Sequence, residues 1–150
     1  MKSIKFVKYA LVVISVILLS LLIKNFGVTQ IIGNSMYSTY SAGQFVFIDK
    51  RISTRSNISH NDIIVFAKQY TDSNLEYIKR VVAVPGDTIS SCDGEVIVNR
   101  NPLKGCHYES DVSYTLKEDE FFVIGDNYNS SIDSRTFGII TTAEIKGKVI

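Results

Sequence analysis

Residues Tyr77–Asp87 read YIKRVVAVPGD, and this stretch decides the fold. Residues 77–84 favour strand and run into a Pro85-Gly86-Asp87 turn. Strand alternation puts Tyr77, Lys79, Val81 and Ala83 on one face and Ile78, Arg80, Val82 and Val84 on the other. Both faces are mainly apolar, so the strand is expected to be buried, yet it carries two adjacent cations. In one reading, Lys79 and Arg80 snorkel to an edge or pair with carboxylates. In the other, desolvation lowers the pKa of Lys79, and a neutral amine is a general base that can activate a serine hydroxyl without any histidine.

Working outward, similar short runs occur at Phe45–Ile48, Ile63–Phe66, Thr88–Ser90, Glu95–Val98, Glu120–Ile124 and Ile145–Ile150. Turn signals separate them: Ala42-Gly43, His60-Asn61-Asp62, Asp93-Gly94 and Gly125-Asp126-Asn127. Asp93-Gly94 between two such runs predicts a hairpin. Beyond residue 26 no stretch sustains helical periodicity long enough to read as a helix, and there is no repeat or linker. Residues 27–150 therefore read as one all-β domain.

The N-terminus differs. Tyr9–Ile23 (YALVVISVILLSLLI) carries no charge, with Lys2, Lys5 and Lys8 before it and Lys24 after it. A cleavable signal peptide would need a small-x-small site just beyond the run, and Leu21–Val28 (LLIKNFGV) offers none. The expectation is an uncleaved transmembrane anchor over 9–26. The lysine bias keeps residues 1–8 in the cytoplasm and puts 27–150 outside it. In that compartment Cys92 and Cys106 could be oxidised to a disulfide.

Composition removes other classes. The chain has 150 residues and a net charge of +1, from 16 Lys+Arg against 15 Asp+Glu. That near-neutrality lacks the basic footprint of a nucleic-acid binder. Two cysteines are too few for a disulfide scaffold, and no CxxC or Cys/His cluster makes a zinc site. Asp126–Asp133 (DNYNSSID) lacks the ligand pattern and glycine of a calcium loop. The only histidines, His60 and His107, sit in loop-like surroundings and read as exposed residues rather than bases. No metal or organic cofactor is expected.

Two serine-bearing loops remain: Gly33-Asn34-Ser35-Met36 and Ser131-Ile132-Asp133-Ser134-Arg135. With the anchor, Ala42–Val46, Lys79–Asp87 and Gly125–Arg135, they resemble in order and over nearly the whole chain the motifs of type I signal peptidases, the membrane-bound Ser/Lys endopeptidases. The resemblance implies a strongly bent antiparallel-sheet domain behind one N-terminal transmembrane helix, set in a cell membrane. It implies exported preproteins as substrates, cut after small residues at −1 and −3. Carried over by position, Ser35 is the nucleophile, its backbone N–H an oxyanion donor, and Lys79 the general base. Ser131 orients the lysine, Asp133 and Arg135 form a supporting pair, and Asp126 belongs to the same shell. From the sequence itself, the eleven residues between Ile23 and Ser35 reach at most roughly 40 Å, which keeps Ser35 near the bilayer.

Three positions depart from the family pattern. Ser38 replaces a proline usual two residues after the Met, removing a fixed φ. Gly33 stands where some members carry a serine that donates to the oxyanion, and Tyr128 replaces an Arg common after the GDN triplet. Two alternatives to a general signal peptidase stay open at this level. One is a specialised Ser/Lys maturation peptidase of a conjugation or pilus system, since Cys92 after the Pro-Gly-Asp turn resembles that branch. The other is a non-catalytic, membrane-tethered β-domain that binds peptides.

Overall fold

Helix α1 spans Lys2–Asn25 in the computed structural model, which describes residues 2–51, 58–70, 73–109 and 113–150, with side chains for all of these except 2–5, 70, 73 and 74. Its apolar side chains from Phe6 to Ile23 are exposed around the whole circumference. The 20 residues Phe6–Asn25 are long and apolar enough to cross a membrane, since they rise about 30 Å, the thickness of the hydrocarbon layer. The helix stops one residue short of the expected span, because Phe26 opens a strand and pairs with Asp49.

Eleven strands follow among the described residues. They are β1 (Phe26–Gln30), β2 (Phe45–Asp49), β3 (Ile63–Tyr70), β4 (Ser73–Ala83), β5 (Thr88–Cys92), β6 (Glu95–Val98), β7 (Asn101–His107), β8 (Ser113–Thr115), β9 (Glu120–Ile124), β10 (Ile140–Thr141) and β11 (Ile145–Val149). Seven make one sheet in the order β1-β2-β11-β3-β4-β9-β10, and four make a second in the order β7-β6-β5-β8. Every pairing is antiparallel. The domain is thus all-β behind one apolar helix, as the sequence predicts. The only α-helical turn in it, among the described residues, is α2 (Ser134–Phe137), which Asp133 caps by accepting from the Arg135 N–H.

The large sheet is buried on both faces where it matters for the site. On β3, Ile64 and Phe66 join a core with Val81, Phe121 and Val123, while Val65 joins another with Ile31, Val46, Ile48 and Val149. Ile31, just past β1, and Ile78 on β4 pack on that second core although three strands separate β1 from β4. The sheet therefore curls until the end of β1 faces β4.

The simple alternation drawn for residues 77–84 holds only as far as Val81. The pairing of β4 with β9 shifts register between Val81 and Ala83, so Val81 stays in the Phe66 core while Ala83 turns to a third core with Ile89, Val96 and Phe122. This bulge lets one strand serve both sheets.

The disulfide expectation is corrected. Both thiols are free, Cys92 exposed and Cys106 buried. β6 lies between their strands, a separation of about 9–10 Å against the roughly 7 Å that a bridge tolerates between Cα atoms. Cys92 also aligns through Glu95 with His107, so Cys106 projects to the opposite face, into the core.

Candidate active site

The nucleophile loop is pinned before it reaches Ser35. Beyond β1, the Ile31 N–H donates to Gln44 O at 2.8 Å, and the Gly43 N–H donates back to Ile31 O at 2.9 Å. Gly33 then adopts φ +79°, in the left-handed region that a side chain at this position would strain. Glycine is thus the residue this turn favours. Met36 is 1% exposed and anchors the loop from beneath, leaving the half-buried Ser35 beside it facing a cleft.

Lys79 comes from β4 and is 3% exposed. Its Nζ donates to Ser35 Oγ at 2.7 Å and to the Ile78 carbonyl at 3.0 Å. Burial pushes the amine from 10.5 down to about 8, against the opposing pull of the Asp133 and Asp126 charges. A sizeable fraction of such an amine is neutral near pH 8, and when neutral it can accept the hydroxyl proton it touches.

The Gly125–Arg135 segment closes the site from the other side. A Cβ on Gly125 would lie 2.2 Å from Ser131 Oγ and 2.6 Å from Ser35 O, so only glycine lets these backbones meet. The Asn127 N–H donates to Ser35 O at 2.9 Å, and its side-chain amide donates to Asn34 O at 3.1 Å. Ser131 Oγ is buried against this contact and has no hydrogen-bond partner among the described residues. The structure thus brings Ser131 to the site without a hydrogen bond from its hydroxyl to the lysine.

Two ion pairs brace the arrangement. Asp133 is fully buried; it receives Arg135 Nε and Nη2, each at 2.8 Å, and the Gly125 N–H at 3.1 Å. Arg135 also donates to Tyr128 O at 2.8 Å, and its guanidinium sits 5.9 Å from the Tyr128 ring, so Tyr128 contributes to the shell. Asp126 receives Arg80 Nε at 2.7 Å and Nη2 at 2.6 Å. Burial pushes the Asp126 carboxyl up, and the Arg80 and Thr39 hydrogen bonds more than reverse this, leaving it below its ordinary value.

Thr39 donates to Asp126 and accepts from Arg80 Nη2 at 3.2 Å, tying the nucleophile loop to the GDN turn just after Ser38. Sequence reasoning did not single out Thr39 or Asn127, since a polar loop residue gives no sign of its partner. For Arg80 the bland reading holds: it pairs with a carboxylate. His60 pairs with Asp87 at 2.6 Å within the Pro-Gly-Asp turn, and His107 sits exposed on β7. Among the described residues no three His, Cys, Asp or Glu side chains cluster as metal ligands would.

The cleft beside Ser35 has a volume of about 510 Å³. Ile31, Ile32, Met36, Val65, Leu75 and Ile78 supply its apolar walls. One side is the edge of β4: β9 pairs only with Arg80, Val81 and Ala83, so residues 73–79 have no strand on that flank among the described residues.

A profile of the signal peptidase (peptidase S26) family matches residues 3–150. The chain belongs to the signal peptidase family. Relatives include signal peptidase I P of Bacillus subtilis subsp. natto, 28% identical over 90% of this chain and 81% of that protein. Signal peptidase I of Bacillus caldolyticus is 32% identical over 78% of this chain and 73% of its own length. A solved signal peptidase I from Enterococcus faecalis matches with TM-score 0.49 and 25% identity, covering 65% of this chain and all of that one. Membership makes this signal peptidase a hydrolase of a membrane-associated serine peptidase family, with a helix at its N-terminus suited to anchoring it.

Proposed function

We propose that this signal peptidase cuts exported preproteins with a Ser35/Lys79 dyad, after small residues at −1 and −3. The 2.7 Å contact between a buried lysine amine and a serine hydroxyl is the observation that carries this reading. Ser35 Oγ attacks the scissile carbonyl carbon as its proton passes to neutral Lys79 Nζ. The Ser35 N–H stabilises the oxyanion, the C–N bond breaks, and the lysine returns the proton to the leaving amine. Water, deprotonated by the same amine, then hydrolyses the serine ester. Ser131, packed against Gly125, orients the lysine, and the Asp133–Arg135 and Asp126–Arg80 pairs hold the loops in place.

The substrate lies extended along the unpaired flank of β4, where main-chain pairing supplies affinity and shallow apolar pockets select small side chains. Pockets built around Ile31, Ile78 and Val65 suit that selection. Helix α1 spans the cell membrane once, with residues 1–8 cytoplasmic and the domain from residue 27 onward on the far side, in the bilayer neighbourhood where signal peptides are embedded.

The test is cleavage of a model preprotein by the detergent-solubilised chain, beside Ser35→Ala and Lys79→Ala. Wild type should cut at the small-x-small site and both variants should be inactive. If Lys79→Ala cuts as well as wild type, the mechanism is wrong.

A further inference from the structure

Lys79 is buried and touches the nucleophile, which leaves Glu76 as the one exposed charge among the described residues lining the cleft. Its carboxylate has no ion pair or hydrogen bond among the described residues. Other carboxylates of the domain are paired with cations, such as Glu144 with Lys68 and Asp62 with Lys148. A lone carboxylate in an apolar, partly enclosed groove projects a negative potential onto whatever occupies it.

The topology says which part of a substrate meets Glu76. β1 starts at the end of α1 and runs away from it. The order β1-β2-β11-β3-β4 contains four antiparallel pairings, so β4 runs in the same sense as β1, away from the anchor. Glu76 precedes Lys79 by three residues, or about 10 Å of strand, and lies on the anchor side of the reacting pair. A substrate whose N-terminal part sits in the bilayer beside α1 enters from that same side. Laid along the free edge of β4, it runs parallel to the strand, and the residues before its cleaved bond pass Glu76.

Alternation narrows the position. Glu76 shares a face of β4 with Ile78, and Ile78 walls the apolar part of the cleft with Ile31 and Val65. With the −1 side chain on the Ile78 face, the −3 residue stands opposite Glu76, and the carboxylate also reaches the next residue on that face, −5.

We propose that Glu76 is a specificity-determining residue that favours a cationic side chain at position −5 of the substrate. This deepens the peptidase reading above and rests on it. The test uses the full-length chain in lipid vesicles and a preprotein-derived peptide with Ala at −6 to −2 apart from a fixed small residue at −3. Lys or Glu is placed in turn at −6, −5, −4 and −2, and kcat/KM is normalised to the Ala peptide for each enzyme form. Wild type should prefer Lys over Ala by about threefold at −5, as an exposed charge pair permits. The preference should vanish in Glu76→Gln, invert in Glu76→Lys and shrink in 0.5 M salt, where the Debye length is down to about 4 Å. An unchanged Lys-to-Glu ratio in both variants at every position, with the Ala peptide still cut, overturns the proposal. If no form cuts the Ala peptide, it is the peptidase reading that has failed.

Discussion

Replacing Lys79 by methionine should abolish cleavage and make the protein more stable at neutral pH. Methionine keeps the unbranched stem and much of the volume and removes the charge. Burial lowers the amine from 10.5 to about 8, and that difference corresponds to ~3 kcal/mol by which the folded site disfavours the ammonium. The folded pKa lies below the unfolded one, so the unfolded chain binds more protons between about pH 8 and 10.5. Wild-type stability therefore rises across that window, and the full cost is present below it. Methionine escapes the cost but loses the bond to Ser35 Oγ, worth about 1 kcal/mol. The net gain at pH 7 is ~2 kcal/mol, or roughly 4–8 °C in Tm for a chain of this size. It should vanish as pH approaches 10.5. Thermal unfolding of both full-length forms in one detergent, followed by circular dichroism at pH 7 and pH 10, reads the effect. A methionine variant less stable than wild type at pH 7, or a gain that is the same at both pH values, would refute the reasoning.

Further outcomes follow from the same contacts. Gly125→Ala forces a Cβ to within 2.6 Å of Ser35 O, so peptide cleavage should fall by about a hundredfold, as displacement of reacting groups by an ångström does, with the protein still folded by circular dichroism. Asp133→Asn leaves the largely buried Arg135 without its counter-charge and should cost about 3–5 kcal/mol in denaturant unfolding. Gly33→Ser places a side chain at φ +79° and should lower stability by about 1 kcal/mol without raising kcat, although the serine has open space around it.

How legible was this in the amino-acid string? The N-terminal helix was plain because Tyr9–Ile23 is an unbroken, uncharged apolar run, and Phe6–Asn25 is long and apolar enough to cross a membrane. Ser35, Lys79, Ser131, Asp133, Arg135 and Asp126 were all singled out through their motifs, and the structure gathers them around the Ser35–Lys79 contact. The strands that escaped notice had physical reasons to. β7 contains Pro102 and Gly105, which read as breakers but are tolerated because β7 is an edge strand. β8 and β10 are too short to show a period, and β1 follows the helix with no intervening turn. The β4 bulge was invisible because alternation assumes an unbroken ladder. Thr39 and Asn127 were missed because their value lies in partners roughly ninety residues away, Asp126 and Asn34. Cys92 and Cys106 misled in the opposite way: the expected oxidising compartment permits a pair, and an intervening strand keeps them apart.

The pH dependence of kcat/KM for peptide cleavage tests the central claim most directly, since the free enzyme's essential base sets it. With Lys79 at about 8, activity should rise tenfold per pH unit well below that value and level off above it, giving about a tenfold gain from pH 7 to pH 9. A rise that ends near 6.5, the ordinary range of an imidazole base, or a profile flat from pH 6 to 9, contradicts a lysine base.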